Sequence, residues 1–220
     1  MKRVISALVL LSCLFSSLIA DPVLAASGQT ASWAIGLSPQ NPLRMDIGSG
    51  SVSFLAELNP AMVGEPLQHF AVYRNGEYAD KALLQGFVAP RDLFNALVVL
   101  GLKPGENMTM QNWDTTRVQG DALRISVQFE GAPHPMDISQ LITDPKGRGI
   151  AMRFGGNLKM ATKADASGCL ICLFSCPMGI VSNHDAFFKE TGWWGNVKYT
   201  ASGLAAPQTK KMAVVTISRK

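Results

Sequence analysis

The stretch from Leu123 to Phe129 restricts the fold more than any other part of the chain. Leu123, Ile125, Val127 and Phe129 alternate strictly with Arg124, Ser126 and Gln128, which is the signature of a half-buried strand. Val52, Phe54, Ala56 and Leu58 repeat the same period. Further strands are expected over 67–74, 82–88, 150–154, 170–174, 197–200 and 212–218. Asn75-Gly76 stands between two apolar runs, the dipeptide favoured in two-residue hairpin turns. One segment switches period. Leu93, Ala96, Leu97 and Leu100 recur at i, i+3, i+4 and i+7 behind Pro90, which suits a first helical position, and Asp92, which complements the helix dipole. Gly101 and then Pro104-Gly105 stop the helix, and Phe94 and Val98 widen its apolar stripe toward a sheet.

Composition removes whole classes of function. At 47% hydrophobic and 16% charged residues, the chain is too apolar for intrinsic disorder. A net charge of +4 is too mild to argue for nucleic acid without a clustered basic face.

The first residues read as a processing segment. Lys2-Arg3 precedes an apolar run over 4–20, Pro22 breaks it, and small residues lead to an expected cleavage after Ala25 or Ala26. An uncleaved membrane anchor is the competing reading, because 17 residues lie near the lower limit of a span. A lipoprotein reading through Cys13 is weakened by the bulky Leu11 and by the apolar run continuing beyond it. Loss of Lys2, Arg3 and Asp21 leaves a net charge of +3. No later segment reaches the length of a transmembrane helix, so a periplasmic or secreted protein is expected. Residues 26–51, rich in Gly, Ser, Pro and Asn, form an irregular lead-in, and 52–220 form a single β-rich domain.

The stretch from Tyr78 to Gly105 carries a strand, a proline-started helix and the exit Leu100-Gly101-Leu102-Lys103-Pro104-Gly105. It resembles the core of the YdjY family, small exported bacterial proteins of uncharacterised function. The likeness continues through Phe154-Gly155-Gly156, Gly168 and Asn183-His184-Asp185 to the last strand. Members of the family often carry a His-Glu pair before a double leucine, where this chain has Asp80-Lys81 before Ala82-Leu83-Leu84. Some members are labelled ferredoxin-like, so the resemblance implies a search for cluster ligands.

Cys169, Cys172 and Cys176-Pro177 reproduce the last three cysteines and the proline of the bacterial ferredoxin run, with Ala166 where the first cysteine would fall. Thiolates bind iron and zinc strongly, and His184 is a candidate fourth ligand. Against this, Cys169 to Phe174 is a continuous apolar run suited to a strand buried on both faces. Residues three apart in a regular strand point to opposite faces, so the sulfurs are expected to diverge and to pack as small hydrophobes. A Cys172–Cys176 disulfide would need a sharp turn at Phe174-Ser175. An export signal without twin arginines also disfavours a cluster assembled before export.

The remaining chemistry is dispersed. His69 falls within a strand pattern, His134 lies between two prolines, and His184 belongs to a turn. No nucleophile elbow or phosphate loop is present, and Phe154-Gly155-Gly156-Asn157 reads as a hairpin turn. Trp193-Trp194, between Gly192 and Gly195, is a candidate surface contact.

The expected molecule is α+β and β-rich, with antiparallel, sandwich-like sheets and one main amphipathic helix near residues 90–100. Its expected role is that of an exported, non-enzymatic accessory or binding protein of YdjY type, with no cofactor. An envelope protein or a small ligand is the expected partner. The alternative is a redox or electron-transfer component holding an iron–sulfur cluster or a metal ion on Cys169, Cys172 and Cys176.

Overall fold

The structure is a computed structural model that describes residues 32–163, 167–191, 195–203 and 211–220. The expected leader and Trp193-Trp194 lie outside the described residues. In chain order the elements are β1 (Leu43–Asp46), β2 (Ser51–Leu58), β3 (His69–Tyr73), β4 (Ala82–Gly86), α1 (Pro90–Val99), β5 (Leu123–Phe129), β6 (Met136–Asp137), α2 (Ile138–Leu141), β7 (Ile142–Thr143), β8 (Met152–Phe154), α3 (Leu158–Ala161), β9 (Cys169–Cys172), β10 (Val181–Asn183), β11 (Thr200–Ala201) and β12 (Met212–Arg219). One curled sheet dominates, in the order β6-β5-β12-β2-β4-β3-β9-β10-β8, with β1 on the free half of the β2 edge. β7 and β11 form a separate pair.

The alternating segment behaves as its period requires. Leu123, Ile125, Val127 and Phe129 are buried in β5 while Arg124 is exposed. β5 and β2 flank the C-terminal β12, bringing Val127, Val215 and Phe54 into one row across three strands. Helix α1 lays Leu93, Ala96 and Leu97 on this sheet, and Phe94 meets Phe154 with ring centroids 5.4 Å apart. It ends as expected. Gly101 takes φ +77°, its N–H reaches the Val98 carbonyl, and the Leu102 N–H returns to that of Leu97, the paired bonds of a Schellman stop. Val98 departs from expectation: it is 43% exposed, because the helix turns only its Leu93–Leu97 stripe inward.

The β-rich character holds, but the sheet is mixed and curled rather than an antiparallel sandwich. β3 runs parallel to β4, and β9 runs parallel to β10. The Asn75-Gly76 hairpin is therefore absent. Those residues open a short crossover, 74–81, that carries the chain back to start β4 alongside β3. Gly76 is needed there for closeness: a Cβ on it would stand 2.6 Å from the Ser167 carbonyl oxygen and 2.8 Å from the Gly168 Cα. Gly156 (φ +85°) and Asn157 (φ +40°) likewise form no hairpin, but turn β8 into α3. The lead-in is partly ordered into the fold. β1 pairs with β2 from Leu43↔Phe54 to Asp46↔Ser51. Trp33, Ala34 and Leu37 cover the second sheet face over Leu55 and Val214.

The two parallel pairs place the site. A parallel connection normally spans a dozen residues or more, whereas 74–81 and 173–180 are each eight residues long. Neither can hold a full helix, so both lie as tight loops across the neighbouring ends of β3 and β9. Their side chains then wall the space above His69. No helix among the described residues is long and apolar enough to cross a membrane.

Candidate functional site

At the centre of this arrangement are Cys169 and Cys172. Both are fully buried, as an apolar run demands, yet their sulfurs do not fan out to opposite faces. They are joined as a disulfide with Cα atoms 6.5 Å apart. The reason lies in the register of β9 on β3, which runs Val72↔Cys169, Ala71↔Ile171, His69↔Cys172. Leu170 is an extra residue on β9 and Phe70 an extra residue on β3. A bulge adds one residue to the side-chain alternation, so positions three apart come onto the same side. The pairing is also not the Cys172–Cys176 link that a turn at Phe174-Ser175 would have allowed.

His69 completes the group. Its Nδ1 lies 3.5 Å from Cys169 Sγ and 3.9 Å from Cys172 Sγ, and the ligand atoms of His69, Cys169 and Cys172 all fall within 4.8 Å of one another. Burial pushes the His69 imidazole down to about 4, with a smaller push from the Lys81 ammonium, so the ring is neutral at physiological pH. Cys176 stands apart from the group. Its sulfur accepts the Met178 N–H at 3.4 Å, and burial pushes its thiol up to about 12. The described residues therefore gather two cysteines and a histidine around one point, whereas a cluster on Cys169, Cys172 and Cys176 needs all three thiols. His184 is also elsewhere: its Nδ1–H donates to the Val118 carbonyl at 2.8 Å. His134 is exposed in its loop.

Two cavities share Gln68, His69 and Lys81. The smaller, of about 320 Å³, is walled by Tyr78 from the first crossover, Phe174, Pro177 and Met178 from the second, and Met110, Trp113 and Phe188 from outside. Its rings pack edge to face, with Trp113–Phe188 at 4.7 Å and Phe174–Phe188 at 5.1 Å, a favoured geometry for aromatic pairs. Lys81 extends over the Tyr78 ring at 4.7 Å. The Trp113 loop is built by its own polar groups. The Asn107 amide donates to the Arg117 carbonyl at 2.9 Å and accepts the Gln119 N–H at 2.9 Å, while the Asn112 amide donates to the Asn107 carbonyl at 2.9 Å. A 2.7 Å ion pair from Lys189 to Asp114 ties that loop to the turn bearing Phe188, and its hydrogen bond holds the Asp114 carboxyl below its usual range.

Behind the cavity, Asn183 braces the second crossover. It is wholly buried. Its Oδ1 accepts the Ala151 N–H at 2.9 Å and the Asp185 N–H at 3.1 Å, and its Nδ2 donates toward the Leu173 carbonyl and the Tyr199 hydroxyl, each at 3.3 Å. Ser175 closes the same loop, donating to the Asn183 carbonyl at 3.1 Å and accepting the Val118 N–H at 3.0 Å. Sequence reasoning gave no role to Gln68, Tyr78, Trp113, Phe188 or Asn183. Lone aromatics and amides in loops carry no periodic signal, and only the fold brings them together.

No solved structure matches the chain. It is similar to an Escherichia coli (strain K12) protein described as "Uncharacterized protein YdjY", at 38% identity over 181 residues, covering 82% of this chain and 80% of that one. The family model described as "YdjY domain" matches residues 43–218, which run from the start of β1 to the penultimate residue of β12 and so take in nearly the whole curled sheet. The chain belongs to the YdjY family.

Proposed function

We propose that this chain is an exported, non-enzymatic binding protein, and that the cleft above His69 receives a small, flat, largely apolar ligand bearing an anionic or acceptor group. The observation that carries this reading is the chemistry of the cleft wall. Tyr78, Trp113, Phe174 and Phe188 offer ring faces and edges, Met110 and Met178 offer adaptable thioethers, and Lys81 stands beside them. Gln68 adds a polar demand, because its buried Nε2 has no hydrogen-bond partner among the described residues, a state that costs about 1–3 kcal/mol. An apolar pocket with a few convergent polar groups is the usual form of a small-molecule site. The dispersal of the histidines supports the non-enzymatic part of the reading, since His69 lines the cleft while His134 and His184 stand elsewhere. The charged n-region, apolar run and small-residue site over 1–26 support export.

The test uses anilinonaphthalene sulfonate, an aromatic anion, titrated against the protein with fluorescence as readout. Saturable binding of one probe per chain is expected, weakened about tenfold by Trp113→Ala, which corresponds to ~1.4 kcal/mol, and also weakened by Lys81→Gln. Binding that does not saturate, or that neither substitution changes, overturns the reading.

A further inference from the structure

We propose that His69 Nδ1, Cys169 Sγ and Cys172 Sγ form a three-ligand site for one zinc-like cation whenever the two cysteines enter the folded state as thiols, so that the ion and the disulfide are mutually exclusive occupants of the same place. A tetrahedral zinc with Zn–S of about 2.3 Å and Zn–N of about 2.05 Å requires N···S edges of about 3.6 Å and an S···S edge of about 3.8 Å. The two N···S separations are 3.5 Å and 3.9 Å, so two of the three edges already have the required size. The third edge needs only that no sulfur–sulfur bond be formed. Paired bulges at Leu170 and Phe70 fix this convergence in the backbone, so it does not depend on the disulfide alone.

The donors suit the ion. Two thiolates and one neutral imidazole form a soft-to-borderline set that selects zinc or copper(I) over magnesium or calcium, and two thiolates cancel the charge of a divalent ion inside a buried site. Three protein ligands leave one coordination position, the number found in zinc sites that engage a further ligand. His69 is one of the three residues common to the two cavities, with Gln68 and Lys81. The chemistry balances without a further reactant: a divalent ion and two thiols give two metal–thiolate bonds and release two protons. The competing reaction consumes an exchanging disulfide, which takes two electrons and leaves as a dithiol while Cys169 and Cys172 join. Both sulfurs are fully buried, so the choice between these outcomes is made as the chain folds. This inference is separate from the cleft reading, since an aromatic anion can bind above either occupant.

The experiment refolds the full chain from denaturant under a phosphine reductant with zinc ions, and in parallel under a disulfide-exchange buffer, followed by gel filtration and metal analysis. One zinc per chain after reducing refolding and none after oxidising refolding is expected. Cobalt substituted for zinc should give a thiolate-to-metal charge-transfer band. His69→Ala should weaken zinc affinity about tenfold or more, measured by competition with a chromophoric chelator, whereas Cys176→Ser should change neither stoichiometry nor affinity. No bound zinc in the reduced wild type overturns the proposal. So does equal zinc in both redox states, or binding lost in Cys176→Ser but kept in His69→Ala. The comparison of redox states uses the wild type alone, so a variant that fails to fold does not remove the test.

Discussion

Replacing Asn183 by alanine should cost this protein about 3 kcal/mol, because the buried side chain is the acceptor for two partly buried backbone groups at once. Its Oδ1 takes the N–H of Ala151 just before β8 and the N–H of Asp185 just beyond β10, and the residue has no exposed surface. Each buried donor left without a partner costs about 1–3 kcal/mol. Two donors give a range of about 2–6 kcal/mol, and the lower half is appropriate because both donors are only partly buried and the Nδ2 contacts of 3.3–3.4 Å are long. In urea, with a slope of about 2 kcal/mol per M for a domain of this size, the midpoint should fall by about 1.5 M. The thermal midpoint should fall by about 6–12 °C. Asn183→Asp separates hydrogen bonding from shape. It keeps the acceptor but faces a charge toward the Leu173 and Gly149 carbonyls, which Asn183 serves as donor, with Asp185 two residues away. Its folded carboxyl is then raised above the unfolded value of about 3.9. Stability relative to wild type is lost as pH rises through that unfolded value, so the deficit should be smallest near pH 4 and largest at neutrality. Equilibrium urea unfolding followed by tryptophan fluorescence at several pH values measures all of this. A midpoint shift under about 0.3 M for both variants, or an aspartate deficit independent of pH, refutes the reasoning.

Two further outcomes follow from burial in the disulfide-bonded form. Cys176, with its thiol pushed up to about 12, should not react with a thiol reagent in the native protein; denaturation without reductant should expose one more thiol in wild type than in Cys176→Ser, and prompt native labelling at this residue would contradict its placement. His69, pushed down to about 4 by burial and then by Lys81, is charged in the unfolded chain below about 6.5 but stays neutral in the fold, so stability should decline as pH falls from about 6.5 to 4, by on the order of 3 kcal/mol, with His69→Gln lacking that decline when unfolding is measured across the same range.

How much of this was legible in the sequence differs by element, and the physics says why. β5 was readable because a half-buried antiparallel strand writes its environment into every second residue. α1 was readable because Pro90, the Leu93–Leu97 stripe and Gly101 each act locally. β10, with the sequence Val181-Ser182-Asn183, was missed because it is wholly buried yet mostly polar, with its demands met by partners distant in sequence. The Asn75-Gly76 dipeptide misled because the intrinsic preference for a hairpin gave way to the contact with Gly168. The cysteine segment is the sharpest case. Period-two reasoning was correct that Cys169 and Cys172 are buried in a strand, and wrong about where their sulfurs point, because a bulge at Leu170 depends on the partner strand β3 and leaves no mark in the sequence of β9.

The interior position of His69 also bears on why the cleft is there. In β3 the run Phe70-Ala71-Val72 is fully buried and apolar, and a leucine or phenylalanine at position 69 would extend it without the cost of desolvating an imidazole. Instead the ring keeps its Nδ1 within reach of two sulfurs, which are weak hydrogen-bond partners, and next to it Gln68 holds a buried amide nitrogen with no partner among the described residues. Two adjacent polar residues at the entry to an otherwise apolar strand, one with an unpaired amide nitrogen among the described residues and the other with only weak sulfur partners, are a poor solution to packing. Stability alone would remove them, because fully apolar interiors are at least as stable as partly satisfied polar ones. Conflicts of this kind between local chemistry and global packing gather at sites of function. The same two residues line both cavities, together with Lys81, so these groups lie where a ligand or an ion can reach them rather than being scattered through the core. A fold held only for structural ends would have no reason to place its least comfortable side chains at the floor of its aromatic cleft.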